Sequence, residues 1–245
     1  MKAGTGRGAG FGALLLGLTL VAACAPADRP APGLLFLDAR LVDGTGAPAR
    51  VADLRVQGDT IAEMGELRPV EGDSVIRAEG RVLAPGFIDT HSHHDVGIFE
   101  YRDVRAAVNQ GVTTVVVGQD GGSHHPLDRF FEALREKPPA VNVASFAGHG
   151  TIRGRVMGGD YHREATGAET EEMARRLRED LAAGALGLST GLEYDPGIYA
   201  STDEIVSLAR VAAAAGGRYA THMRSEDRAL HDAVDGVPVA EQDGF

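Results

Sequence analysis

The chain has 245 residues, of which 43% are hydrophobic and 24% charged, and its 35 acidic side chains outnumber 24 basic ones to give a formal net charge of −11. A hydrophobic share of that size excludes a disordered chain, and the excess of carboxylates repels phosphate backbones, which excludes nucleic acid as a partner. Cys24 is the single cysteine, so no disulfide within the chain can staple the fold.

Lys2 and Arg7 precede an apolar run from Phe11 to Ala23, which ends in Val21-Ala22-Ala23-Cys24. The run is too short to span a bilayer as a helix and suits the core of a secretory signal. Small residues before a cysteine are what lipoprotein signal peptidase accepts. Residues 1–23 are therefore expected to be a lipoprotein signal peptide, with Cys24 the lipidated first residue of a periplasmic or otherwise extracytoplasmic protein. That lipid is its only expected contact with a membrane. Residues 24–33 are small and Pro-rich, as expected of a tether between an anchor and a folded domain.

Residues 34–83 read as a small β domain. Short β-rich runs at Leu34 to Leu37, Leu41-Val42, Leu54 to Val56, Ile61-Ala62 and Val75 to Arg77 are separated by the turn signals Asp43-Gly44, Gly58-Asp59 and Glu79-Gly80. From residue 84 to 245 the period changes to strands alternating with amphipathic helices. Strands are predicted at Phe87 to Thr90, Thr113 to Val117, Val141 to Ser145, Ala185 to Leu188 and Tyr219 to His222. The helix after Thr170 carries Met173, Leu177 and Leu181 on one face and stops at Gly184. The next has capping-box spacing from Ser201 to Glu204, buries Ile205, Leu208 and Ala212, and stops at Gly216-Gly217. Such alternation predicts a parallel sheet with right-handed crossovers.

The tripeptide His91-Ser92-His93 ends the first of these strands. Residues two apart on a strand face the same way, so both imidazoles can converge on one ion. His149 lies between Gly148 and Gly150, where the backbone can approach a ligand closely. His124 and His125 sit in a Gly/Ser-rich loop and read as solvated. Arg224 suits a substrate carboxylate or an ion pair with Glu226 or Asp227.

Five stretches carry a resemblance to a known family: Ala84 to Asp95 (APGFIDTHSHHD), Gly111 to Gly118 (GVTTVVVG), Gly148 to Gly158 (GHGTIRGRVMG), Gly184 to Ala200 (GALGLSTGLEYDPGIYA) and Tyr219 to Glu226 (YATHMRSE). In that order the sequence resembles the amidohydrolase superfamily, and within it the N-acyl-D-amino-acid deacylases. The resemblance implies an α/β fold, a metal-dependent (β/α)8 TIM-type barrel preceded by a small β-sandwich. It implies one or two Zn2+ ions and an N-acyl-D-amino acid as small-molecule substrate, hydrolysed to a D-amino acid and a carboxylate. It adds His222, at the end of the fifth strand, as a third imidazole ligand beside His91 and His93. It also places Tyr194 at the active-site mouth, where a phenol donates to the scissile carbonyl as charge builds. His149, from its place between two glycines, is a second catalytic candidate.

The sequence departs from its relatives after the second strand. Many of them resemble Gly-Asn-Cys-Gly there, with the cysteine a zinc ligand, where this chain has Gly118-Gln119-Asp120-Gly121. Asp120 is expected either to replace the thiolate as ligand or to be a turn aspartate beside two glycines. An eight-unit barrel takes roughly 250 residues, and about 160 follow the first barrel strand, room for about five units. This is read as a truncated or disrupted gene product, the alternative being a shorter protein that closes its sheet by association. The family's sixth-strand histidine and eighth-strand aspartate have no position in the chain, and since the resemblance makes that aspartate the general base, the 245-residue chain is expected to be inactive. Two other readings stand beside the deacylase. One is a cyclic-amide hydrolase of the same superfamily, against which the chain offers only Lys2 and Lys137 and none at the fourth strand. The other is a catalytically inert lipoprotein that binds a metal or ligand.

Overall fold

The structure, a computed structural model, describes residues 31–226 and Leu230. The signal run, Cys24 and most of the tether lie outside the described residues. Among the described residues no helix is long and apolar enough to cross a membrane. The chain divides into two compact units that meet between Ala84 and Pro85.

The first unit is one five-stranded sheet. Strands β1 (Leu34–Leu41), β2 (Arg50–Gln57), β3 (Thr60–Gly65) and β4 (Ser74–Arg77) lie in the order β3-β2-β1-β4, and β5 (Val82–Leu83) pairs with the far end of β1. β1 runs through Asp38 to Arg40 and so joins the first two predicted runs into one strand, ending at Leu41. The ladder with β2 shifts register between Phe36 and Ala39, where Asp38 adopts a left-handed backbone, and then continues to Leu41. A bulge of this kind lets one strand pair parallel with β4 at its start and with β5 at its end. Inside this unit Arg55, only 1% exposed, lies between Asp73 and Glu63. A second sandwich layer is not found among the described residues.

In the second unit every strand pair is parallel. β6 (Phe87–Asp89) pairs with β7 (Val112–Val117), and β7 with β8 (Asn142–Ser145). β9 (Ala147–Gly148) pairs with β10 (Gly187–Gly191), and β10 with β11 (Arg218–His222). β8 and β9 are one strand interrupted at Phe146, because the Ser145 hydroxyl donates to the Phe146 carbonyl at 2.8 Å and competes with the ladder. The Phe146 amide still reaches Val117 O at 3.0 Å and Leu186 N reaches Ser145 O at 2.9 Å, so the strands follow one another in chain order through five barrel positions. These are five successive units of the (β/α)8 barrel, and the sheet does not close among the described residues.

The helices follow their apolar stripes. α2 (Leu127–Glu136) buries Leu127, Phe130 and Leu134, and α4 (Gly167–Ala182) buries Met173, Ala174 and Leu177 against Val115, Val117 and Leu188. α4 starts a turn before the Thr170 expected from periodicity, because Thr166 and Glu169 form a reciprocal capping box. α5 (Thr202–Ala214) buries Ile205, Leu208 and Ala212. Its Ser201 hydroxyl accepts from Glu204 N at 3.2 Å, but the return bond of a capping box is absent because the Glu204 side chain turns inward. Between β6 and β7 the only helix is α1 (Arg105–Val108), four residues long and not the amphipathic crossover expected there. α3 (His149–Met157) begins directly at the end of β9.

Candidate metal centre and active site

The strand ends and the loops that leave them carry the chemistry, as in barrels generally. β6 stops at Asp89, and Ser92 is buried with its amide on Val116 O at 2.9 Å, which leaves the rings on either side of it exposed. The Nε2 atoms of His91 and His93 lie 3.1 and 3.0 Å from the same Oδ2 of Asp120. One donor atom from each of the three residues falls within 4.8 Å of the others.

Asp120 reaches the histidines from a left-handed backbone with φ 53°, an uncommon conformation for a residue with a Cβ. Its loop is fixed from three sides. The Gln119 amide donates to Thr90 O at 3.0 Å, which ties the ends of β6 and β7 together. Ser189 of β10 accepts from Gly121 N at 3.2 Å and donates to Gly118 O at 2.5 Å. Thr151 N donates to Gly121 O at 3.0 Å. Gly191 is required here: a Cβ on it would stand 2.2 Å from Asp120 O and 2.8 Å from the Tyr194 ring. Of the two expectations for Asp120, turn residue or ligand, the structure places it in a turn with its carboxylate on both histidines.

A cavity of about 530 Å³ opens beside this cluster, lined among others by His93, Asp95, Gln119, Asp120, Ser123 and His124.

His222 and Tyr194 form a second group. The Tyr194 hydroxyl is 3.0 Å from His222 Nδ1, and His222 Nε2 is 3.0 Å from Glu193 Oε2. Partial burial of the ring, reinforced by the carboxylates of Asp120, Glu193 and Glu226, pushes the Tyr194 phenol above its ordinary range and keeps it a proton donor. His222 is not among the atoms that converge on Asp120; its nitrogens face a carboxylate and a phenol instead.

His149 is placed differently from both groups. It is fully buried, and its Nε2 donates to Glu204 Oε1 at 2.8 Å. The same oxygen accepts from Arg153 Nε at 3.0 Å. Burial pushes the Glu204 carboxyl up, but the hydrogen bond from His149 and the charges of His149 and Arg153 outweigh it and hold the group below the usual carboxylate range. An imidazole so enclosed cannot meet a substrate, which corrects its reading as a catalytic group. His125 is not solvated either: its side chain is 5% exposed, with Nδ1 2.7 Å from Asp180 Oδ2, and His124 stacks on Phe130. Arg224 donates to the carbonyls of Ile198 and Ala200, and Asp227, one of its two expected ion-pair partners, lies outside the described residues.

Sequence reasoning missed Glu193, Glu204, Arg153 and Asp180. A signal was present for two of them. Glu204 and Asp180 lie on the apolar stripes of α5 and α4, beside Ile205 and Leu208 and beside Met173 and Leu177. An acid on such a stripe is buried and needs a cationic or hydrogen-bonding partner.

A model of the amidohydrolase family matches residues 74–232. D-aminoacylase of Alcaligenes xylosoxydans xylosoxydans is 40% identical over 225 residues, which cover 82% of this chain and 46% of that protein. N-acyl-D-aspartate deacylase of the same organism is 41% identical over 224 residues, with 81% and 45% covered. The crystal structure of N-acyl-D-glutamate deacylase from Bordetella bronchiseptica, complexed with zinc and a phosphonate inhibitor, matches with a TM-score of 0.81 at 36% identity, covering 85% of this chain and 48% of that one. The chain spans about half the length of the curated relatives it matches.

Proposed function

Because the chain belongs to the amidohydrolase family, we propose that it serves the zinc-dependent hydrolysis of linear amides, taking an N-acyl-D-amino acid to a D-amino acid and a carboxylate. The observation that carries this reading is the convergence of His91 and His93 Nε2 on Asp120 Oδ2. Two imidazole nitrogens and a carboxylate oxygen are a donor set that suits zinc, and the strained backbone of Asp120 aims that oxygen without help from an ion. His91, His93 and Asp120 would hold the metal, with His222 as the third imidazole that the resemblance implies. Zinc, when bound, supplies Lewis acidity to water and to the amide carbonyl.

The chain's own groups do the rest. Tyr194, kept protonated by its surroundings, donates a hydrogen bond to the carbonyl oxygen as negative charge builds there. Glu193 orients the His222 ring. The cavity beside Asp120 offers room for one end of the substrate. Support for a deacylase comes from relatives whose own names are D-aminoacylase and N-acyl-D-aspartate deacylase.

The test is metal content after gel filtration, read with the release of D-amino acid from N-acetyl-D-amino acids. The native chain should retain zinc, and His91→Ala combined with His93→Ala should retain none. Stoichiometric zinc in the double variant would sink the site, and turnover of cyclic amides in place of linear ones would sink the substrate class. The N-terminal pattern supports a location in the cell envelope, with a lipid on Cys24. Mass spectrometry of the mature N-terminus decides this, and an unmodified Cys24 rejects it.

A further inference from the structure

The segment that follows β10 and carries Glu193 and Tyr194 has little regular structure of its own, only a single turn at Gly197–Tyr199. Four of its carbonyls, those of Pro196, Ile198, Tyr199 and Ala200, are met from outside by arginines. Arg153 of α3, fully buried, reaches Pro196 O at 3.1 Å and Tyr199 O at 3.4 Å. The same guanidinium reaches Tyr161 O at 2.7 Å and Arg163 O at 2.6 Å, and its Nε reaches Glu204 at 3.0 Å. All five of its N–H donors are therefore in use. Arg224, two residues past His222, takes Ile198 O and Ala200 O of the same segment. His149 holds the other side of the Glu204 oxygen, and its Nδ1 faces Gly197, where a Cβ would stand 3.8 Å away.

We infer that Arg153, anchored by Glu204 and His149, is a positioning residue that braces the 193–200 segment and so sets Tyr194 against His222. The buried charge of Arg153 is balanced by Glu204, and its flat fork spans four carbonyls from two separate stretches of chain. A lysine cannot do this, because an ammonium has three donors and no fixed plane. Neither Arg153 nor His149 touches the reacting atoms; both act through Tyr194. That consequence for catalysis rests on the amide-hydrolase reading, whereas the brace itself does not.

The experiment is amide hydrogen exchange on the full chain, followed by peptide, for Arg153→Lys and Glu204→Gln. The Ile198 and Ala200 amides, which are bonded within the turn, should exchange about tenfold faster or more in both variants, while peptides of β7 and α2 keep their native rates, as expected of a local opening. Unchanged exchange in the 193–200 segment overturns the brace. Equal acceleration in β7 and α2, or failure of both variants to fold, also overturns it, since either marks a general part in core stability. Turnover of an N-acetyl-D-amino acid separates the two claims. A fall in kcat that exceeds any change in KM supports positioning of Tyr194. Local loosening with unchanged kcat leaves the brace standing and rejects the role of Tyr194 in the reaction.

Discussion

Asp120 and Glu204 each place one carboxylate oxygen between two nitrogen-bearing side chains, at nearly equal distances. Asp120 Oδ2 is 3.1 and 3.0 Å from His91 and His93, and Glu204 Oε1 is 2.8 and 3.0 Å from His149 and Arg153. Their surroundings are opposite. The two histidines on Asp120 are 57% and 58% exposed, whereas Glu204 and the two side chains on it are each 1% exposed or less. A permanent guanidinium in a dry site fixes the carboxylate as an anion and commits its lone pairs to the fold. Two exposed imidazoles make no such commitment, so their nitrogens stay accessible to an ion that enters from solvent. The same three-body geometry is therefore structural when buried with arginine and a candidate metal site when exposed with a second histidine.

The largest expected effect that sharpens this contrast is on stability. Glu204→Ala leaves Arg153 buried without its counter-charge and should cost about 3–5 kcal/mol in urea unfolding. The exposed cluster should behave otherwise. Asp120 is partly buried, with a side chain 21% exposed, and holds no buried charge, so Asp120→Ala should shift unfolding by only about 1 kcal/mol or less in metal-free buffer. A large destabilisation there would break the comparison.

The next effect concerns chemistry. Tyr194→Phe removes one hydrogen-bond donor and should lower kcat about 10²-fold, with a smaller change in KM. An unchanged kcat would show that the phenol contributes nothing to the developing charge. Asp120→Cys restores the softer ligand to which the sequence compares this position, and should tighten zinc relative to the native chain in a competition titration with a chelator. Weaker zinc binding would show that Asp120 is not in the ligand set.

The smallest effect tests a third shared carboxylate, in the first unit. Asp73 accepts from Arg55, from Gly33 N and from Val70 N, so both of its oxygens are occupied. The hydrogen bond from Arg55 is the largest cause that lowers its pKa from 3.8 to about 2. A carboxyl with a depressed folded-state pKa adds stability that is complete above its unfolded value and is lost as pH falls. The window is thus from about 4 down to about 2, and Asp73→Asn should flatten this acid limb of the unfolding midpoint measured between pH 5 and 2. An unchanged limb would move the acid sensitivity elsewhere.

Much of this protein was legible in local pattern. Strand positions from Phe87 to His222 followed from apolar runs between turn signals, and their ends moved by a few residues because pairing decides where a ladder stops. Strand β10 shows this best. Periodicity centred it on Ala185 to Leu188, but pairing with β11 carries it from Gly187 to Gly191, past the last apolar residue and into Ser189-Thr190. His91 and His93 were legible as a pair from their spacing just after an apolar run, although β6 ends at Asp89 and both stand in the loop that leaves it, not on the strand face expected.

What the sequence by itself determined was which side chains follow the apolar runs, and hence that two histidines leave the end of β6 together. Only the tertiary structure decided which of the other polar residues meet them. Asp120 is 27 residues beyond His93 and comes to it because β6 and β7 are paired neighbours. His149 and Glu204 are 55 residues apart and share a core site because α3 and α5 both pack on β10. Burial, the quantity that separates a ligand from a structural ion pair, arises from those long-range contacts. The sequence near His149, a histidine between two glycines, could not distinguish an open site from a closed one. The physical reason is that desolvation is a property of everything packed around a group, and no stretch of a few residues contains it.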